Sequence, residues 1–162
     1  MKRRWIPLLA SCLWLASCGS EVTELVLVVG SDMAVPSPLR QIDLRVIGPD
    51  GSTAVDTTVA FDLPGAPFMP LSLSLVLEGP EPAPVRVTVV GTTADGSTVE
   101  RTVVTGFVEG ESRALPIRLY ERCLDVVCGE GQSCGDSGTC EDERVNGAFL
   151  PQWTGEPADF AP

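Results

Sequence analysis

From Val22 to Tyr120 the apolar residues recur with a period of two, and no stretch sustains the 3.6-residue period of an amphipathic helix. Such alternation commits one face of each segment to a core and the other to water, a demand that paired strands meet. The clearest run is Ile42, Leu44 and Val46, with Asp43 and Arg45 on the opposite parity and the turn formers Gly48-Pro49-Asp50-Gly51 behind it. Val55 to Phe61 follows, then Leu71, Leu73, Leu75 and Leu77 alternating with Ser72 and Ser74, then Val85, Val87 and Val89. Ala94-Asp95-Gly96 turns the chain into Thr98 to Val104. In the last run, Leu115, Ile117 and Leu119, Pro116 takes the opposite parity; proline cannot donate to a ladder, so this strand is expected at an edge or a bulge. With Leu25 to Val29 at the start, the count is seven strands in about 100 residues. The expected fold is all-β: a single antiparallel two-sheet β-sandwich over residues 22–120, long enough for one hydrophobic core.

After Tyr120 the composition changes. Cys123, Cys128, Cys134 and Cys140 fall within eighteen residues, interleaved with Gly129, Gly131, Gly135 and Gly138. In an exported chain an even set of close cysteines implies a disulfide framework, and four cysteines allow three pairings. A segment this small buries little apolar area, so residues 121–144 are expected to form a disulfide-stapled stub, each bridge contributing roughly 2 to 3 kcal/mol. Zinc would require two C-x2-C pairs or cysteine with histidine, and the chain has no histidine. Asp136, Glu141, Asp142 and Glu143 crowd the last loop without the twelve-residue calcium pattern, so they are expected to form a solvated acidic surface. No cofactor is implied. Residues 145–162, Pro-rich with isolated aromatics at Phe149, Trp153 and Phe160, are expected to be an irregular tail.

The start of the chain carries an address. Met1-Lys2-Arg3-Arg4 precedes an apolar run from Trp5 to Ala16, too short to span a bilayer and built like a secretion signal over residues 1–17. Leu15-Ala16-Ser17-Cys18 resembles the lipobox of bacterial lipoproteins. The resemblance implies cleavage between Ser17 and Cys18, a diacylglyceryl group on the Cys18 thiol and acylation of the new amino terminus, with residues 18–21 left as a short tether. Several acyl chains, palmitate among them, make a stable anchor where a single chain does not. Gly19 stands where an aspartate would signal inner-membrane retention in that family, so the resemblance implies a lipid-anchored envelope protein of the outer membrane.

Two weaker resemblances bear on the rest of the chain. The strand count and spacing are similar to those of immunoglobulin-like and transthyretin-like sandwiches, although the bridged cysteines around a buried tryptophan that mark true immunoglobulin domains are missing. The spacing C-x4-C-x5-C-x5-C resembles the first half of an EGF-like module, which implies bonds from Cys123 to Cys134 and from Cys128 to Cys140.

Charge and residue types then limit function. Loss of Lys2, Arg3 and Arg4 with the signal leaves 8 basic against 22 acidic residues, a net charge of −14. That balance opposes nucleic-acid binding and anionic headgroups, so lipid on Cys18 would hold the protein to its membrane. Gly135-Asp136-Ser137-Gly138 spells the surroundings of a serine-protease nucleophile. A serine nucleophile needs a base, and the processed chain would contain neither histidine nor lysine. Asp32, Asp56, Asp62, Asp125 and Asp136 show no spacing that sets two carboxylates on one rigid face. The expectation is a non-catalytic envelope lipoprotein presenting a sandwich to an envelope protein or polysaccharide. The competing expectation is a carboxylate-based hydrolase acting on envelope polymers.

Overall fold

The computed structural model describes residues 22–77 and 83–156. The seven strands are β1 (Glu24–Ser31), β2 (Leu39–Ile47), β3 (Thr53–Ala60), β4 (Leu71–Val76), β5 (Val85–Thr93), β6 (Thr98–Thr105) and β7 (Ser112–Leu119). They form a three-stranded sheet, β4-β1-β7, and a four-stranded sheet, β3-β2-β5-β6, packed face to face. The stub adds a hairpin of β8 (Gln132–Cys134) and β9 (Cys140–Asp142), and single 3-10 turns lie at Glu121–Cys123 and Gly147–Phe149.

The alternation places the core as expected. Ile42, Leu44 and Val46 from β2, Val87 and Val89 from β5, and Leu115, Ile117 and Leu119 from β7 are all buried in one cluster. Each such side chain contributes about 1.5–3 kcal/mol relative to exposure. At Gly91, the next inward position of β5, a Cβ would stand 2.9 Å from the Cδ1 atoms of both Leu39 and Leu119. The glycine admits these two leucines to the core, a close approach of the kind that an isolated strand glycine marks.

β1 follows a different rule. Leu25, Leu27 and Val29 enter the core cluster, while Val26 and Val28, on the opposite face, are each only 1% exposed. A central strand covered on both faces has no polar parity, which is why this segment reads as a continuous apolar run.

The sandwich departs from a wholly antiparallel one at a single pairing. β1 runs parallel to β7, from Glu24 opposite Ser112 to Ser31 opposite Leu119, and antiparallel to β4 on its other side. Period-two patterning selects a face and carries no information on strand direction. The order also differs from the immunoglobulin arrangement, in which the first strand lies beside the second. Here β2 pairs with β3 and β5 in the other sheet.

Candidate functional site

A two-sheet sandwich has four strand edges, each a row of N–H and C=O groups available to a pairing partner. Residues after Tyr120 close two of them. Along β6, Thr98 and Asp125 exchange hydrogen bonds, with Asp125 N donating to the Thr98 carbonyl at 2.7 Å and Thr98 N to Asp125 Oδ1 at 3.0 Å. Thr102 N donates to Ser133 Oγ at 2.8 Å. Val104 N donates to the Glu143 carbonyl at 2.8 Å and Val104 O accepts from Val145 N at 2.9 Å. The outward N–H groups of Thr98, Thr102 and Val104 and the carbonyls of Thr98 and Val104 are thus satisfied by residues 125–145.

The segment beyond the stub then crosses to the other sheet. Ala114 N of β7 donates to the Pro151 carbonyl and Trp153 N donates to the Ser112 carbonyl, both at 2.9 Å, with Arg113 opposite Gln152. This register turns Leu150 into the core, where it is 5% exposed, and sets the half-buried Trp153 on the outer face of the sheet. The tail expected to be irregular is therefore tied down through Trp153. Phe149 points to solvent at 85% exposure, and Phe160 lies outside the described residues. Pro116 sits on the same edge of β7 as Ala114, two residues further on, where the absent N–H breaks no ladder bond.

The opposite side, between β3 and β4, is left open by the described residues. Leu71, Leu73 and Leu75 of β4 and Val55 and Val59 of β3 point inward but are only half-buried. Two cavities run along this side. One, of about 370 Å³, reaches Ile42 and Leu44 between Val59, Leu71, Leu73 and Phe68. The other, of about 750 Å³, lies under the Gly48–Ser52 turn between Val55, Leu75, Val85 and Phe107. Phe68 at 88%, Leu63 at 62% and Val76 at 57% stand exposed among the larger apolar residues. Above the second cavity the turn is held by Asp50, whose carboxylate accepts from Ser52 Oγ at 2.7 Å and Ser52 N at 2.9 Å. These bonds hold the Asp50 carboxyl below its ordinary value.

The cysteines expected in the stub are joined first to third and second to fourth, as Cys123–Cys134 and Cys128–Cys140. Cys123 and Cys134 belong to the sandwich core at 2% and 3% exposure, so the stub shares that core. Between β8 and β9, Gly138 N donates to the Gly135 carbonyl at 3.0 Å and Gly138 takes φ +77°, closing a hairpin turn around Asp136 and Ser137. The Ser137 hydroxyl meets Thr139 Oγ1 at 2.6 Å and lies exposed at the tip.

The carboxylates diverge. Asp32 accepts from Glu121 N, Asp56 pairs with Arg45, Asp62 with Arg40 and Asp125 with Thr98 N. Of the acidic group in the last loop, Glu141 bonds Arg101, Asp142 accepts from Arg144 N and Glu143 bonds Arg86. Among the described residues no three histidine, cysteine or acidic side chains converge as a metal site.

Glu143 is the exception to the solvated acidic surface. It is 6% exposed and receives both terminal nitrogens of Arg86, at 2.6 and 2.7 Å, tying β5 to the stub. The hydrogen bonds to Glu143 hold the Arg86 guanidinium above its ordinary value. Arg86→Met is expected to strand that buried carboxylate and lower the unfolding free energy by about 2 kcal/mol in urea titration. Arg45→Met, which breaks an exposed pair, is expected to change it by about 0.5 kcal/mol or less.

No protein-family profile, curated protein or solved structure matches this chain.

Proposed function

We propose that the chain is a non-catalytic, lipid-anchored envelope protein whose β-sandwich is a binding module, with its working surface on the open side between β3 and β4. The observation that carries the reading is the asymmetry of the four edges: the C-terminal segment covers β6 and β7, whereas β3 and β4 flank apolar cavities that reach core side chains. Apolar clefts beside a bare strand edge suit an extended protein segment, which supplies backbone partners and alternate side chains together. The dispersal of Asp32, Asp56, Asp62 and Asp125 among separate partners supports binding over carboxylate chemistry. Of the two sandwich resemblances we retain the transthyretin-like one, because β1 sits between β4 and β7 and away from β2.

Cys18 and the residues before it lie outside the described residues, and their role rests on the lipobox resemblance. Cys18→Ser is expected to abolish labelling by a fatty-acid probe in cells and to leave an uncleaved precursor; labelling that persists removes the anchor from the proposal. The binding surface is tested separately with a photo-crosslinking residue at Val76, on β4, and a control at Val127, 92% exposed on the stub. Adducts at Val76 alone are expected; equal adducts at both sites would dismiss the open side as the binding surface.

A further inference from the structure

We infer that the open side is completed by a second copy of this chain, through antiparallel pairing of β4 with β4 of its partner. The inference rests on the binding reading above and names the partner of that surface.

Three features of β4 single it out. First, of the seven sandwich strands it alone contains no charged residue: Leu71-Ser72-Leu73-Ser74-Leu75-Val76. The full sequence carries a net charge of −11, so two copies repel over most of their surfaces, and a neutral strand is where they meet at least electrostatic cost. Second, the other edges carry protection. β6 and β7 are covered by the C-terminal segment, and β3 carries Asp56 at mid-strand beside a register irregularity at Val46 and Ile47 of β2. Among the described residues nothing covers β4, which is apolar on its inner parity and uninterrupted by proline, the features that make an edge strand prone to pairing.

Third, the strand is self-complementary. Leu77 N donates to the Thr23 carbonyl, so the odd-numbered residues of β4 direct their backbone groups at β1. Ser72, Ser74 and Val76 direct theirs outward. Two-fold antiparallel pairing about Ser74 sets Ser74 opposite Ser74 of the second copy, Ser72 opposite Val76, and Leu73 opposite Leu75. All outward groups then find partners. Because paired residues share parity, both leucine rows stay on the inner face and the half-buried Leu71, Leu73 and Leu75 gain cover from the second copy. The interface is isologous and closes as a dimer rather than growing into a filament.

The geometry allows a sharp test on the full-length, membrane-resident protein. Directly opposed residues of a hydrogen-bonded antiparallel pair have Cα atoms about 5.5 Å apart, within disulfide range. Ser74→Cys, on an exposed position, is therefore expected to yield a disulfide-linked dimer under a mild oxidant. Ser72→Cys is expected to crosslink about tenfold less, because residue 72 faces residue 76 of the second copy, and Ser72→Cys with Val76→Cys is expected to restore the dimer. Ser74→Lys should convert the detergent-purified protein from dimer to monomer in sedimentation while its circular dichroism spectrum stays that of the folded sandwich, with a melting temperature that no longer depends on protein concentration. Equal crosslinking by the two single cysteines, or a wild-type monomer at every concentration sampled, overturns the inference. If the crosslinker at Val76 then captures a species other than this chain, the binding surface stands and the second copy does not; if it captures nothing, both fall.

Discussion

Replacing Cys123 and Cys134 together by alanine is expected to destabilise the entire sandwich, lowering its unfolding free energy by about 3 kcal/mol or more. The bridge closes a loop with a sequence separation of 11, which by chain entropy alone accounts for nearly all of that figure. Loss of two sulfurs packed at 2% and 3% exposure adds a cavity in the common core. Cys128 and Cys140 close a comparable loop, with a separation of 12, but are half-buried and make a smaller contribution to that core. Their double alanine variant should therefore lose little beyond the loop contribution, about 2.8 kcal/mol, without the cavity cost that takes the Cys123/Cys134 variant higher. Urea titration followed by circular dichroism of the β signal measures both. If the two variants lose the same amount, or if the Cys123/Cys134 variant keeps the sandwich transition of the wild type, the stub is energetically separate and the shared core is refuted.

Gly147→Ala is expected to detach the segment that closes the β7 edge. A Cβ at this position would stand 2.1 Å from the Gly106 carbonyl oxygen and 3.1 Å from its carbon. Both atoms are backbone, so no rotamer change relieves the overlap and the chain has to separate there, at a cost of about 1–3 kcal/mol. Separation would release Val145 and Leu150 from the core and the Pro151 and Trp153 bonds from β7. The processed chain would retain Trp153 as its only tryptophan, so a red shift in fluorescence reports the release, together with new protease cleavage between residues 145 and 153. Gly106→Ala is the control, since a Cβ there meets nothing within 4 Å. Unchanged fluorescence and cleavage in Gly147→Ala would refute the docking.

Both experiments concern contacts invisible in local patterning. The seven strands were legible because alternation is written residue by residue: Asp43 and Arg45 against Ile42, Leu44 and Val46 identify a half-buried strand with no reference to its partners. Pro116 likewise announces an edge by its missing N–H, and β7 is one. The stub's reliance on disulfides was legible from four cysteines in so short a segment.

Partner choice between distant segments belongs to the tertiary structure. The Ser112 hydroxyl bonds the Glu24 carboxylate across 88 residues at the start of the parallel β1–β7 ladder, and neither segment carries a local mark of the other. Glu143 reads as one more acid in an acidic loop until Arg86, 57 residues away, is folded against it. Leu150 and Val145 look like stray apolar residues in a tail until the edges of β6 and β7 stand ready to receive the backbone beside them. The open cleft emerges the same way, as the side that residues 121–156, having paired with β6 and β7, do not reach. Side-chain periodicity tells each residue which way to face, because that depends on one strand's own geometry. Which edges are covered depends on where the whole chain has already gone, and only the assembled sheets decide it.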